Sequence, residues 1–241
     1  MNTERDPRGP AAASRHIVVA IDGPAGAGKS TIARRIAAKM GCLYIDTGAM
    51  YRAVGLWALR ERMPLDDMHR LDQIARAARI ELHGSPEAVL LNGEDVTEAI
   101  RAPEVSDAAS KVSAIPAVRR ALVEKQRQMG ERSSVVMEGR DIGTVVFPKA
   151  SVKIYLDADP AVRARRRVKD LAEKGRTASL DQVEREMRER DLRDSTRPDS
   201  PLIQAPDAVY VDSTPHSLEE VERIILNVVR EKTSNGKEAV H

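Results

Sequence analysis

Gly23-Pro24-Ala25-Gly26-Ala27-Gly28-Lys29-Ser30 fits the pattern G-x-x-x-x-G-K-[ST] at every position. Its flanks fit as well. The apolar run Ile17, Val18, Val19, Ala20, Ile21 precedes it and reads as a buried strand, and Lys29 to Met40 reads as a helix ended by Gly41. Strand, glycine-rich loop, helix is the context in which this string cradles phosphate. Glycines let the backbone curl so that successive N–H groups face an anion. The helix N-terminus adds its partial positive charge. In such a loop Lys29 reaches the β- and γ-phosphates of a nucleoside triphosphate, and the Ser30 hydroxyl holds Mg²⁺.

With 241 residues the chain has room for one α/β domain with an insertion, or for two small domains. Hydrophobic residues make up 41% and aromatics only 2%, so aliphatic packing must supply the core. The single cysteine, Cys42, excludes a disulfide framework and a cysteine-based zinc site within one chain. No apolar run approaches the ~20 residues that span a bilayer. Residues 1–15 mix charges with Pro, Gly and Ala and lack an apolar signal core, so they read as a mobile tail. A reducing, cytoplasmic setting is the expectation. Formal net charge is only +2, although 29 of the 39 basic residues are Arg. The charge balance gives no global basic field, and only arginines inside local motifs inform the function.

Parallel strands are expected at 17–21, 43–45, 133–137, 152–156 and 208–211. Helices are expected at 29–40, 48–63 with Thr47 as cap, 66–78, 116–128, 160–174, 179–193 and 217–231. Strands alternating with helices imply a doubly wound α/β sheet covered on both faces. Between 64 and 108 the period changes: Ile80–His83 and Ala88–Leu91 look like short strands, and Asn92-Gly93 signals a hairpin. This division predicts a core of 16–63 and 109–232, a small insertion at 64–108, and a frayed end at 233–241.

A triphosphate loop does not say where the phosphoryl group goes. GTPases would need a guanine-reading Asn-Lys-x-Asp, which is absent. A motor ATPase would want a carboxylate at a strand end, and Val135-Val136-Met137-Glu138 supplies a candidate. Three further segments argue for a second anion site. In Asp46-Thr47-Gly48-Ala49-Met50-Tyr51-Arg52, Tyr51 and Arg52 lie where they can overhang the crevice at the strand ends. Glu138-Gly139-Arg140-Asp141-Ile142-Gly143 sets a charged pair between glycines at another strand end, a place for close ligand approach. Residues 163–197 hold 12 basic and 8 acidic side chains and few large apolar ones. Most of these charges suit a solvated helical face with i,i+4 pairs, and an arginine-bearing flap of this kind fits a lid that closes over phosphates.

Together the segments resemble the bacterial cytidylate kinases, a family of nucleoside monophosphate kinases. The resemblance spans about 16–231 and rests on the loop, on 46–52, on Ala108-Ala109-Ser110-Lys111-Val112-Ser113-Ala114-Ile115-Pro116-Ala117-Val118-Arg119, on 138–148, and on Arg190-Asp191-Leu192-Arg193-Asp194-Ser195-Thr196-Arg197. It implies a five-stranded parallel sheet of the P-loop type, a monophosphate-binding insertion at 64–108 and a helical lid near 163–197. It implies transfer of the ATP γ-phosphoryl group to CMP or dCMP with Mg²⁺. The donor site would be Gly23 to Ser30 with Thr31, and Arg166 would lie near the adenine. Ser110, Arg119 and Asp141 would read cytosine, Thr47 and Tyr51 would line the pocket, and Asp194 would hold the sugar. Arg52, Arg140, Arg190 and Arg197 would gather the phosphates, with Lys29, Arg140, Arg190 and Arg197 catalytic. Partners would be small nucleotides, with no nucleic acid or membrane, and the chain would be a monomer. Where that family often carries Asp, this chain has Glu138.

Two other readings start from the same loop. A kinase for a small hydroxyl acceptor, such as a sugar acid or shikimate, would use a carboxylate base, for which Asp46 or Asp141 could serve. An ATP-switched RNA-binding protein would need stacking platforms, and six aromatic residues in all supply few.

Overall fold

The computed structural model describes residues 16–84, 87–173 and 175–238; the tail expected at 1–15 lies outside them. Strand β1 (Val18–Asp22) is buried along its whole length, and its branched side chains alternate between two faces. Val19 and Ile21 pack with Ile32 and Ile36 of α1 (Lys29–Met40) and with Ile225 of α8 (Leu218–Glu238). Val18 and Ala20 face the opposite layer, where Val123 of α5 (Pro116–Arg132) and Ile142 close over them.

Strand β2 (Leu43–Asp46) follows α1, β6 (Val135–Gly139) follows α5, and β7 (Val152–Asp157) and β8 (Val209–Asp212) complete the sheet. The order is β2-β6-β1-β7-β8, and every pairing is parallel. The doubly wound parallel sheet is thus as expected. Registers Asp22↔Gly139 and Asp46↔Glu138 bring the ends of β1, β2 and β6 to one edge, where ligands bind in open sheets of this kind. Pairing with Ile21 and Asp22 also carries β6 two residues past its expected end at 137.

The remaining elements pack as a second cluster. Helix α2 (Thr47–Arg60) ends at a turn where Arg62 takes φ 47°, short of the expected 63. Its cap is Asp46, not Thr47: the Asp46 carboxylate accepts from the Ala49 N–H, and the Thr47 hydroxyl donates instead to the Glu138 carbonyl at 2.7 Å. Helix α3 (Met68–Ala77) leads into an antiparallel sheet of β3 (Ile80–Gly84), β4 (Glu87–Leu91) and β5 (Glu94–Asp95). Asn92 and Gly93 close the last hairpin with φ of 54° and 89°, as two-residue hairpin turns require. Helix α4 (Pro103–Val112), which the sequence reading left unassigned, crosses α2 at close range. A Cβ on Gly55 would stand 3.0 Å from the Ala109 backbone nitrogen. Helices α6 (Pro160–Glu173) and α7 (Leu180–Thr196) pack against each other. The stretch after Thr233, expected to fray, is helical to Glu238, and 239–241 lie outside the described residues. Among the described residues no helix is long and apolar enough to cross a membrane.

Asp22 pins this frame at its centre. It is 5% exposed, and its two carboxylate oxygens accept from the N–H groups of Ile142 at 2.8 Å and Gly143 at 2.7 Å. Burial outweighs these bonds and pushes its carboxyl up to about 6.

A side chain at position 55 must push α4 away through its backbone, so Gly55→Val should destabilise the fold by about 1–3 kcal/mol in a denaturant titration. Wild-type stability in that variant would show that the crossing is loose. Because the folded pKa of Asp22 lies above its unfolded value of 3.8, stability from this group is full below that pH. It is then lost as pH rises through about 6, by on the order of 3 kcal/mol. The stability difference between wild type and Asp22→Asn should therefore drift in favour of the variant over that interval. A difference that stays flat would mean that Asp22 titrates normally.

Candidate active site

The loop 23–30 needs glycine at two positions for distinct reasons. A Cβ on Gly23 would lie 1.9 Å from the Leu156 carbonyl oxygen, so the strand exit tolerates no side chain. Gly28 adopts φ 93° as the residue before α1, a left-handed conformation that costs glycine little. Lys29 is buried, and its ammonium donates to the Pro24 carbonyl at 2.7 Å, inside its own loop. Burial, and then the positive charge of Arg140, draws the pKa of Lys29 down. Arg163 braces the loop from outside: Nη1 donates to the Ala25 carbonyl at 3.0 Å and to Asp191 of α7 at 2.6 Å. Arg166 donates to the hydroxyl and carbonyl of Ser213, whose hydroxyl in turn bonds the Ala27 carbonyl. Through Ser213, Arg166 is thus linked to the loop residue Ala27.

Beside the loop opens a cleft. Of the residues singled out in the sequence, Thr47, Tyr51, Arg52, Arg119, Arg140, Asp141, Arg190, Asp194 and Arg197 all line it. They arrive from α2, α5, the turn after β6, and α7. Arg119 donates to Asp141 at 2.5 Å, and its guanidinium lies 5.4 Å from the centre of the Tyr51 ring. Arg140 donates to Asp194 at 2.9 Å, while Arg197 and Arg190 stand 3.7 Å and 4.0 Å from the same carboxylate. Arg52 is held by Asp46 at 2.7 Å. Burial alone would raise the pKa of Asp194, but Arg140 and Arg190 outweigh it and hold the carboxyl below the usual range. Burial, followed by the repulsion of Arg140, lowers Arg190 to about 10. Burial and Arg119 lower Arg197 in the same sense.

Several buried polar atoms at this cleft, or just behind its wall in the case of Ser110 Oγ, have no partner in the protein: Ser110 Oγ, Arg119 Nε, Arg190 Nε and Arg197 Nη2. Buried donors left unpaired are expensive, and a cleft that gathers several of them is shaped for a polar, anionic ligand. Ser110 itself does not line the open space. It sits behind the wall on α4, while Ser106, Ala109 and Ser113 of the same region face the cleft. Those small residues follow helical spacing, a signal that would have revealed the wall had α4 been recognised. Asp22 and Tyr44 were missed as well, because each acts through a contact made by the fold.

Next to the lining residue Gly139, Glu138 is 4% exposed, and Tyr44 donates to it at 2.7 Å. Burial, reinforced by Asp46, raises its carboxyl, and Lys29 and Ser30 oppose that shift from the loop side. Among the described residues no group of three or more His, Cys, Asp or Glu could hold a metal by itself. One hydroxyl beside one carboxylate fits an ion that keeps waters and takes its other ligands from phosphate, as Mg²⁺ does.

Residues 19–231 match the family model described as cytidylate kinase. A cytidylate kinase from Solibacter usitatus is 61% identical over 226 residues, covering 93% of this chain and 97% of that one. One from Desulforamulus reducens is 50% identical, covering 90% and 98% of the two chains. A third, from Ligilactobacillus salivarius, is 46% identical, with the same coverage of 90% and 98%. With the family match running from β1 into α8, the chain belongs to the cytidylate kinase family.

Proposed function

We propose that the chain transfers the γ-phosphoryl group of ATP to CMP or dCMP, giving ADP and CDP or dCDP. The observation that carries this reading is the cleft itself. Arginines with unsatisfied N–H groups converge beside the loop 23–30, around the buried pair Arg119–Asp141.

An acceptor phosphate monoester has its second pKa near ~6 and is mostly dianionic at pH 7. It is already a nucleophile and needs no general base. Among the described residues no histidine lines the cleft. The two carboxylates that could serve a hydroxyl acceptor as base are each already paired, Asp141 with Arg119 and Asp46 with Arg52 and the Ala49 N–H. The work is electrostatic: Arg52, Arg140, Arg190 and Arg197 gather the acceptor phosphate and Lys29 steadies the donor, so that two polyanions can meet. Ser30 would hold Mg²⁺, with Glu138 behind its water shell; when bound, the ion neutralises charge on the β- and γ-phosphates. Asp141 accepts from the cytosine N4 amine, Arg119 donates to the N3 and O2 acceptors, and Ser110 backs that edge. Uracil would turn a carbonyl toward Asp141 and an N–H toward Arg119. Asp194 holds the sugar hydroxyls. The insertion 64–108 forms the acceptor side, and 163–197 forms the lid.

Arg140→Ala or Arg197→Ala should lower turnover with CMP by on the order of a thousand-fold, with the fold preserved in thermal melts. Undiminished turnover in either variant would refute the phosphate assignment. Asp141→Asn, whose amide can donate to a carbonyl, should narrow the CMP over UMP preference in kcat/KM by about 10-fold or more. A preference that survives unchanged would remove Asp141 from base reading.

A further inference from the structure

We propose that Tyr44 is a positioning residue that holds the Glu138 carboxylate toward the phosphate-binding loop. The proposal rests on the kinase reading above. Glu138 is the last residue but one of a buried strand, and its carbonyl is fixed by Thr47, yet its side chain has three torsions and ends in a carboxylate almost without water. Such a group finds its own position only if donors define it. The Tyr44 hydroxyl, buried beneath α1, donates to Oε1 at 2.7 Å. That commits one oxygen and leaves the other for the side where Ser30 and Lys29 are its neighbours.

The tyrosine is itself held from behind. Its ring lies under the Arg34 guanidinium at 5.4 Å from the centroid, and Arg34 reaches Glu87 of β4 at 2.8 Å. A ring gripped on its face by a cation cannot turn its hydroxyl away without breaking that contact. Tyr44 is not among the residues that line the cleft, so its influence passes through Glu138.

Tyr44→Phe keeps the ring and the Arg34 contact and removes only the hydroxyl. ADP affinity measured by calorimetry with and without Mg²⁺ gives a readout separate from turnover. We expect the Mg²⁺-dependent gain in ADP affinity to fall about ten-fold. We expect kcat to fall by a similar factor while KM for CMP holds. Glu138→Gln should lose the same Mg²⁺-dependent gain, and adding Tyr44→Phe to it should cost nothing further. The proposal is overturned if Tyr44→Phe keeps the wild-type Mg²⁺ dependence, if Glu138→Gln keeps it, or if the two losses simply add, as a packing role for Tyr44 would give. Failure of the kinase reading looks different: the wild-type chain would then release no ADP in response to CMP.

Discussion

Like charges forced together without water are the constraint around which this molecule is arranged. Arg119 and Arg197 retain only 4% and 5% side-chain exposure, and Arg140 retains 18%. In a medium less polar than water such groups repel strongly. Two carboxylates offset them. Asp141 takes Arg119, and Asp194 stands within reach of Arg140, Arg190 and Arg197 at once. Positive charge is left over, and so are N–H groups with no acceptor. An incoming phosphate dianion supplies both what the charge balance and what the hydrogen bonding lack. A neutral hydroxyl acceptor would supply neither, which is why the electrostatics, and not the loop 23–30, separate this kinase from other users of the same cradle.

The sequence was most informative where chemistry constrains several adjacent positions. The loop, the segment 46–52 and the segment 138–143 were readable because each needs glycines and charges at set intervals, and the sheet registers bring all of them to one edge. Helices with strong apolar spacing were readable too. What escaped was decided by contacts distant in sequence. Helix α4 is rich in Ala and Ser because it lies tightly on α2 at Gly55, so it lacks the large apolar stripe that marks most helices. Asp46 rather than Thr47 caps α2, since the Thr47 hydroxyl finds a better partner in the Glu138 carbonyl across the sheet. The turn after β6 is wider than an α-turn: the N–H groups of Val146 and Phe147 reach back to the carbonyls of Asp141 and Ile142. Such i→i+5 turns occur often at functional sites, and nothing local in Ile142-Gly143-Thr144-Val145-Val146 announces one.

Asp22 explains how the two halves of the site keep a common frame. It is the last residue before the donor loop, and it grips the turn that carries Arg140 and Asp141 by two backbone N–H groups. Phosphoryl transfer gains most from positioning, because small misplacements of the reacting groups are costly. The loop 23–30 and the turn after β6 are therefore tied through one short buried carboxylate. The other half is tied differently. Arg190, Asp194 and Arg197 come from α7, which meets the core through ion pairs and through Arg163, whose guanidinium bridges the Ala25 carbonyl and Asp191. Above the loop, Met187 lies where a Cβ on Gly26 would touch it at 2.9 Å, so α7 packs directly on the phosphate cradle. Backbone bonds to a buried carboxylate hold the half that must not shift. Charge pairs hold the half that α7 contributes.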